Sequence, residues 1–176
     1  MNPLYHQIIS IYPLKQIEIE ALLSAMESIS IAKNSILFDT NKVENYVYFI
    51  EKGIARAYCN TDKQQATFWF GQEGDVILSY NSYIKEEPGY EIIELLENSK
   101  LLRISHQILQ ELYSKHIGLA NWGRKLAELE LIKTEERFIN QQYRSLFHKR
   151  AQQGAPLAHP TGKSPRQGVL IAGKAR

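Results

Sequence analysis

One cysteine, Cys59, and no acidic residue after position 147 are the scarcities that constrain this 176-residue chain most. A single thiol excludes an intramolecular disulfide, a cysteine-held zinc site and an iron–sulfur cluster held within one chain. Cys59 itself reads as a small buried hydrophobe. Apolar runs are only a few residues long, far short of the roughly 20 that cross a bilayer. The opening Met1-Asn2-Pro3-Leu4-Tyr5-His6 has neither the basic start nor the apolar stretch of a signal peptide. A cytoplasmic protein with no membrane partner is predicted. The five histidines, His6, His106, His116, His148 and His159, are scattered with no His-x-His pair, so no metal and no resident cofactor are predicted. Gly162-Lys163-Ser164 imitates the end of a phosphate loop, but Leu157 stands where the first glycine belongs and no strand precedes it. Asp75 and Glu91 are the carboxylates that could be posed as an acid and base, yet Asp75 is more simply a turn residue beside Gly74. With no catalytic constellation, the chain is not read as an enzyme.

What is present divides by composition. The chain is 44% hydrophobic and 23% charged, ordinary for one globular core with an accessory element. Residues 1–147 carry 15 Lys and Arg against 19 Asp and Glu, whereas residues 148–176 carry six bases and no acid. Gly and Pro recur through that tail without periodic apolar positions before Val169, which predicts disorder over 148–176. Six cations without anions also allow weak, non-specific contact with nucleic acid by counterion release, with no module that reads bases.

Between these ends the pattern is that of strands. Val47–Ile50 and Ile54–Tyr58 are rich in β-branched and aromatic residues and are joined by Glu51-Lys52-Gly53, where glycine permits positive φ, so a hairpin is predicted there. A turn at residues 60–63 leads into Ala66–Phe70, making three strands in series. Further strands are predicted at Ile29 to Ile31, Ile36–Phe38, Val76–Leu78, Ile92–Leu96 and Leu101–Ile104, with residues 80–89 a polar connection. Lys33-Asn34-Ser35 is a turn, and Asn41 is singled out for its tolerance of the left-handed conformation. The aromatics Phe68, Trp69, Phe70, Tyr80, Tyr83 and Tyr90 read as core and rim. Roughly eight strands suit a jelly roll or small barrel.

Helices flank the strands. Leu14, Ile17, Ala21, Leu22 and Ala25 have amphipathic spacing over residues 13–26, a helix that should cap the sheet. Ser105 is placed to cap a helix running through Tyr113. Beyond it, Leu119, Trp122, Leu126, Leu129, Ile132 and Ile139 recur at spacings near three and four, with Tyr143 continuing them and charges between. That stripe is longer than an average globular helix of about 10–14 residues presents. A twin helix from a second copy would cover it, giving a homodimer through those six residues. The alternative is that the stripe lies on its own barrel.

The order of short helix, eight-stranded roll with Tyr48-Phe49-Ile50-Glu51-Lys52-Gly53 and Gln72-Glu73-Gly74-Asp75, Leu101-Leu102-Arg103-Ile104-Ser105, short helix and long helix resembles the sensory domain of Crp/Fnr-type transcription regulators over about residues 10–147. The resemblance implies a cyclic-nucleotide-binding-like double-stranded β-helix, or jelly roll, with a dimerisation helix and a following helix-turn-helix domain for DNA. It also implies a domain division into residues 1–117, 118–147 and 148–176, and a pocket at Gly74, Asp75, Leu78, Ser79, Tyr80, Tyr90, Glu91 and Arg56. In the family, a Gly-Glu pair takes the ribose hydroxyl and an Arg beside Ser or Thr holds the cyclic phosphate. Those positions here read Leu78-Ser79 and Tyr90-Glu91, which predicts altered or absent cyclic-nucleotide binding unless Arg56 or Arg103 substitutes. The basic tail leaves no room for a helix-turn-helix, so a truncated regulator is predicted, touching DNA only through a domain missing from this chain. The contrasting readings are a cupin-like small-molecule-binding protein or enzyme, and a dimerisation module that sequesters full-length relatives.

Overall fold

Alternation along the strands divides the apolar residues between two cores. A computed structural model describes residues 3–61 and 64–152, with side chains described for 4–61 and 64–139. The chain divides into two units, Met1–Leu131 and Ile132–Arg176. In chain order the elements are α1 (Pro3–Ser10), α2 (Gln16–Ser24), β1 (Glu27–Ile31), β2 (Ile36–Phe38), β3 (Tyr46–Lys52), β4 (Ala55–Asn60), β5 (Gln65–Gly71), β6 (Val76–Ile77), α3 (Tyr80–Lys85), β7 (Ile92–Leu95), β8 (Ser99–Ser105), α4 (His106–Lys115) and α5 (Ile117–Gln152). Helix α5 thus runs five residues beyond the expected boundary at 147, and the rest of the basic tail lies outside the described residues.

The strands form two antiparallel four-stranded sheets in the orders β1-β8-β3-β6 and β2-β7-β4-β5, the jelly-roll architecture predicted. Tyr48, Ile50, Ile77 and Leu101 of the first sheet meet Phe38, Ala55, Ala57, Ile93 and Leu95 of the second inside the roll. On the other face of the first sheet, Val47, Phe49, Val76, Leu102 and Ile104 pack with Leu4, Ile8, Leu22, Leu109, Leu119, Trp122 and Leu126 from the helices.

The predicted hairpin between Val47–Ile50 and Ile54–Tyr58 does not form. Strand β3 pairs with β8 and β6, whereas β4 pairs with β5 and β7, so the turn between them carries the chain from one sheet to the other. Gly53 makes that corner at φ +121, with Ser99 against its bare Cα; composition marks strands but not their partners. The β4–β5 hairpin is real, and Thr61 closes it by donating from its amide (2.9 Å) and hydroxyl (2.6 Å) to the Gln64 carbonyl. Asn34 rather than Asn41 is left-handed, at φ 64. Asn41 instead donates to the Asp39 carboxylate from its amide (3.2 Å) and its Nδ2 (3.1 Å).

Three helical features depart from the sequence pattern. Helix α1 was not predicted, although Pro3 suits a first helical position and Leu4 and Ile8, four apart, are buried. On α2, Ile17 is exposed and Glu18, at 5% exposure, is buried in its place. The Glu18 carboxylate accepts the Lys15 amide at 2.8 Å and, across 100 residues, the Gly118 amide in the first turn of α5 at 3.1 Å. The bare Cα of Gly118 lets that carboxylate approach closely; a Cβ there would make it shift. One turn on, Trp122 Nε1 donates to the Ile8 carbonyl at 2.8 Å. Lastly, the connection at 80–89 contains α3, whose Tyr83 ring lies edge-on to His106 at 4.7 Å and whose hydroxyl is 3.4 Å from that of Tyr113. Tyr113 in turn lies against Gly123 of α5.

Removing the shared cap should cost stability: Glu18→Ala leaves two helix-terminal amides unpaired and is expected to lose about 1–3 kcal/mol in urea denaturation, while Glu18→Gln, which keeps an acceptor, loses less. Burial lowers the pKa of His106 below the ordinary 6.5, and its Nε2 is enclosed without a partner. A depressed folded-state pKa means the unfolded chain binds the proton first, so this contribution to stability is full above 6.5 and is lost as pH falls through the folded value. The urea midpoint should fall on acidification through that window, and more steeply in the wild type than in His106→Phe. That difference separates His106 from Glu44, whose pKa burial raises.

Candidate functional site

The Gly74-Asp75 turn feeds the candidate site. Gly74 sits at φ +89, its amide donates to the Ile50 carbonyl (2.9 Å), and the Ile50 amide donates to the Asp75 carbonyl (3.0 Å). Asp75 Oδ2 accepts the Gln72 amide at 3.0 Å, and Gln7 Nε2 donates to the Gly74 carbonyl at 3.1 Å. These bonds fasten the turn to β3 and α1. Leu78, following β6, packs into the core beneath the helices, so alternation turns Ser79 the other way.

Ser79 is 2% exposed. Its carbonyl accepts the Tyr83 amide at 2.8 Å, but its hydroxyl caps nothing and is enclosed without a hydrogen-bond partner. Across from it is Glu91, 9% exposed, whose Oε2 accepts the Tyr90 amide at 3.1 Å. Gly89 lies between them: a Cβ there would sit 2.6 Å from Ser79 Oγ and 2.7 Å from Glu91 Oε1. Tyr90 points outward, its ring 6.3 Å from that of Phe68, and Tyr80 is exposed on α3. The two sequence segments proposed for the pocket therefore do meet, at Ser79, Gly89 and Glu91.

Arg56 does not join them. Its register opposite Glu94, between the interior residues Ala55 and Ala57, puts it on the outer face of its sheet. There it pairs with Glu94 at 2.6 Å and lies over the Tyr58 ring at 4.4 Å. Arg103 is also engaged, with Glu27 at 2.8 Å and over Tyr46 at 4.5 Å.

Residues that the sequence did not flag brace the site. Glu44 accepts the Tyr46 amide (3.0 Å) and the Tyr48 hydroxyl (3.3 Å), while its own amide donates to Ser82 Oγ at 3.1 Å. Ser82 Oγ in turn donates to the Glu87 carbonyl at 2.9 Å, and by accepting the Glu44 amide it ties α3 to the loop before β3. Burial raises the pKa of both Glu44 and Tyr48, so Glu44 is held where its charge is disfavoured. Glu44 and Ser82 are 38 positions apart, so no local pattern could announce the pair.

The six residues proposed for a dimer seam separate. Leu119, Trp122 and Leu126 are buried by their own chain in the core beneath the helices, which corrects their assignment to an intermolecular contact: an amphipathic stripe does not reveal which apolar surface covers it. Leu129 is exposed in the first unit; in the second, Ile132 and Ile139 are 50% and 44% exposed.

The sequence pattern of the cyclic nucleotide-binding domain matches residues 28–116. Among solved structures, the fold is similar to a cyclic nucleotide-binding domain from Methylobacillus flagellatus KT, with TM-score 0.68 and 17% identity over 77% of this chain and 81% of that one. It is similar to the catabolite activator protein of Thermus thermophilus, with TM-score 0.62 and 16% identity over 79% of this chain and 63% of that one. It is also similar to the regulatory subunit of a cAMP-independent protein kinase A from Trypanosoma brucei, with TM-score 0.58 and 12% identity over 78% of this chain and 46% of that one. The chain thus spans under two thirds of the length of the Thermus protein. No curated protein matches it by sequence. With its family pattern covering half the chain and the roll, turn and flanking helices in the corresponding order, the protein belongs to the cyclic nucleotide-binding domain family.

Proposed function

We propose that this chain is a non-enzymatic, effector-sensing regulatory module, similar to the sensory half of Crp/Fnr-type transcription regulators, in which the roll no longer takes cyclic AMP by the family's route. The observation that carries this is the juxtaposition of Ser79 and Glu91 at Gly89, where the resemblance calls for a glutamate on the ribose and a Ser or Thr beside the arginine that holds the phosphate. A carboxylate in the phosphate position repels an anion. Replacing the arginine forfeits a charge-assisted contact of about 1.5–3 kcal/mol, one to two decades in affinity. Arg56 and Arg103, the candidate substitutes, are committed to Glu94 and Glu27. The Trypanosoma neighbour, named for a cAMP-independent kinase, is consistent with a roll that has parted from that nucleotide.

Occupancy of the site would act through α3. Its Tyr83 touches His106 and Tyr113 of α4, and Tyr113 rests on Gly123 of α5, so a shift of α3 biases where α5 is held. The receiver would be a DNA-binding domain of the kind the resemblance implies. A homodimer joined along α5, with Ile132 and Ile139 seven residues apart in the seam, would carry the signal between copies.

Calorimetry with cyclic AMP should find no binding tighter than millimolar; a low-micromolar constant would overturn the proposal for the site. In sedimentation equilibrium the wild type should be a dimer at micromolar concentration. The double variant Ile132→Glu with Ile139→Glu should be a monomer, because burying like charges in an apolar seam costs several kcal/mol. A wild-type monomer, or a dimeric double variant, would remove α5 as the interface.

A further inference from the structure

Resting on that reading of the roll, the geometry points to a ligand of opposite charge to a cyclic nucleotide: a small organic cation, with an ammonium or guanidinium head received between Ser79 and Glu91. Both groups are more than nine-tenths buried. The Ser79 hydroxyl is enclosed without a partner. Glu91 receives the amide of Tyr90, and among the described residues no lysine, arginine or histidine forms an ion pair with it. An enclosed carboxylate without a counter-charge is a costly arrangement that a cation relieves.

The count of donors selects the same class. A carboxylate offers about four acceptor sites and a hydroxyl two, against one hydroxyl proton. An ammonium brings three N–H donors and a guanidinium five, enough to serve both oxygens at once. A phosphate brings only acceptors; it could use the one Ser79 proton and would repel Glu91. The two oxygens converge where residue 89 has no side chain, each within 3 Å of the place a Cβ would take.

The surroundings favour a positive guest as well. In the segment Lys85–Glu91 that leads into the site, Glu86, Glu87 and Glu91 stand against Lys85 alone, and a local excess of one sign of charge draws the opposite ion. On the entry side Gly89 is half-buried and Tyr90 exposed, and the Tyr90 and Phe68 rings, 6.3 Å apart, offer π faces to a cation or to an aromatic body behind it.

The test uses the full chain at low salt, with thermal shift and calorimetry. Three cations, phenethylamine, agmatine and spermidine, are set against phenylacetate, the anionic counterpart of phenethylamine, and against cyclic AMP. At least one cation should raise the melting temperature and bind at millimolar or better, with no effect from phenylacetate. Glu91→Gln should weaken that cation at least about tenfold, and Ser79→Ala by a factor of about two to ten. Far-UV circular dichroism checks the folding of each variant, and the wild-type contrast of amine with carboxylate stands without them. No shift from any of the three cations, an equal shift from phenylacetate, or undiminished binding by folded Glu91→Gln each overturns the inference. If the cations fail and cyclic AMP fails too, only this inference falls; tight cyclic AMP binding would bring down the functional reading beneath it.

Discussion

Strand β3 sets the terms for everything around it. Val47, Tyr48, Phe49 and Ile50 are buried in succession, so the strand has no polar face and needs cover on both sides. Each such side chain is worth about 1.5–3 kcal/mol when fully buried. Cover on one side comes from the second sheet, through Tyr48 and Ile50. Helices α1, α2, α4 and α5 supply the other side, meeting Val47 and Phe49. A hairpin with β4 in the same sheet would have spent β4's own interior residues, Ala55 and Ala57, on the wrong layer. The chain instead turns the corner at Gly53, and the roll closes.

That double cover gives the first part of α5 its place. Trp122 fills the core under β3, its ring 6.4 Å from Phe49, and its indole nitrogen reaches back to α1. Glu18 caps the same helix from α2; its carboxylate stands at the positive end of α5, where negative charge is favoured. The start of the long helix is therefore fixed to the N-terminal segments by polar bonds inside an apolar layer, where they are strongest. Further along α5, Leu129, Ile132 and Ile139 are exposed.

The site inherits its chemistry from the same layering. Alternation after the Gly74-Asp75 turn sends Leu78 to the helices and Ser79 toward Gly89 and Glu91. The sequence had named both segments, because a family pattern anchored at Gly-Asp and at Leu-Leu-Arg-Ile-Ser fixes their order along the chain. It could not exclude Arg56, since its facing depends on pairing with Glu94 across 38 residues. Nor could it find Ser82 and Glu44, whose bond spans the same distance.

Local chemistry was legible where its cause was local. Strand composition, the capping serine at 105, which accepts the Ile108 amide at 3.2 Å, the turn glycines and the long amphipathic helix all follow from residues within a few positions of each other, as does the jelly-roll class that their order implies. Tertiary structure decided what depends on partners far away. It chose which strands pair, which stretch of the α5 stripe its own chain covers, why a glutamate rather than an isoleucine is buried on α2, and which polar groups end face to face at Gly89. The reason is physical: periodicity records that a side chain leaves water, while the surface that receives it is made by segments brought together only when the chain folds.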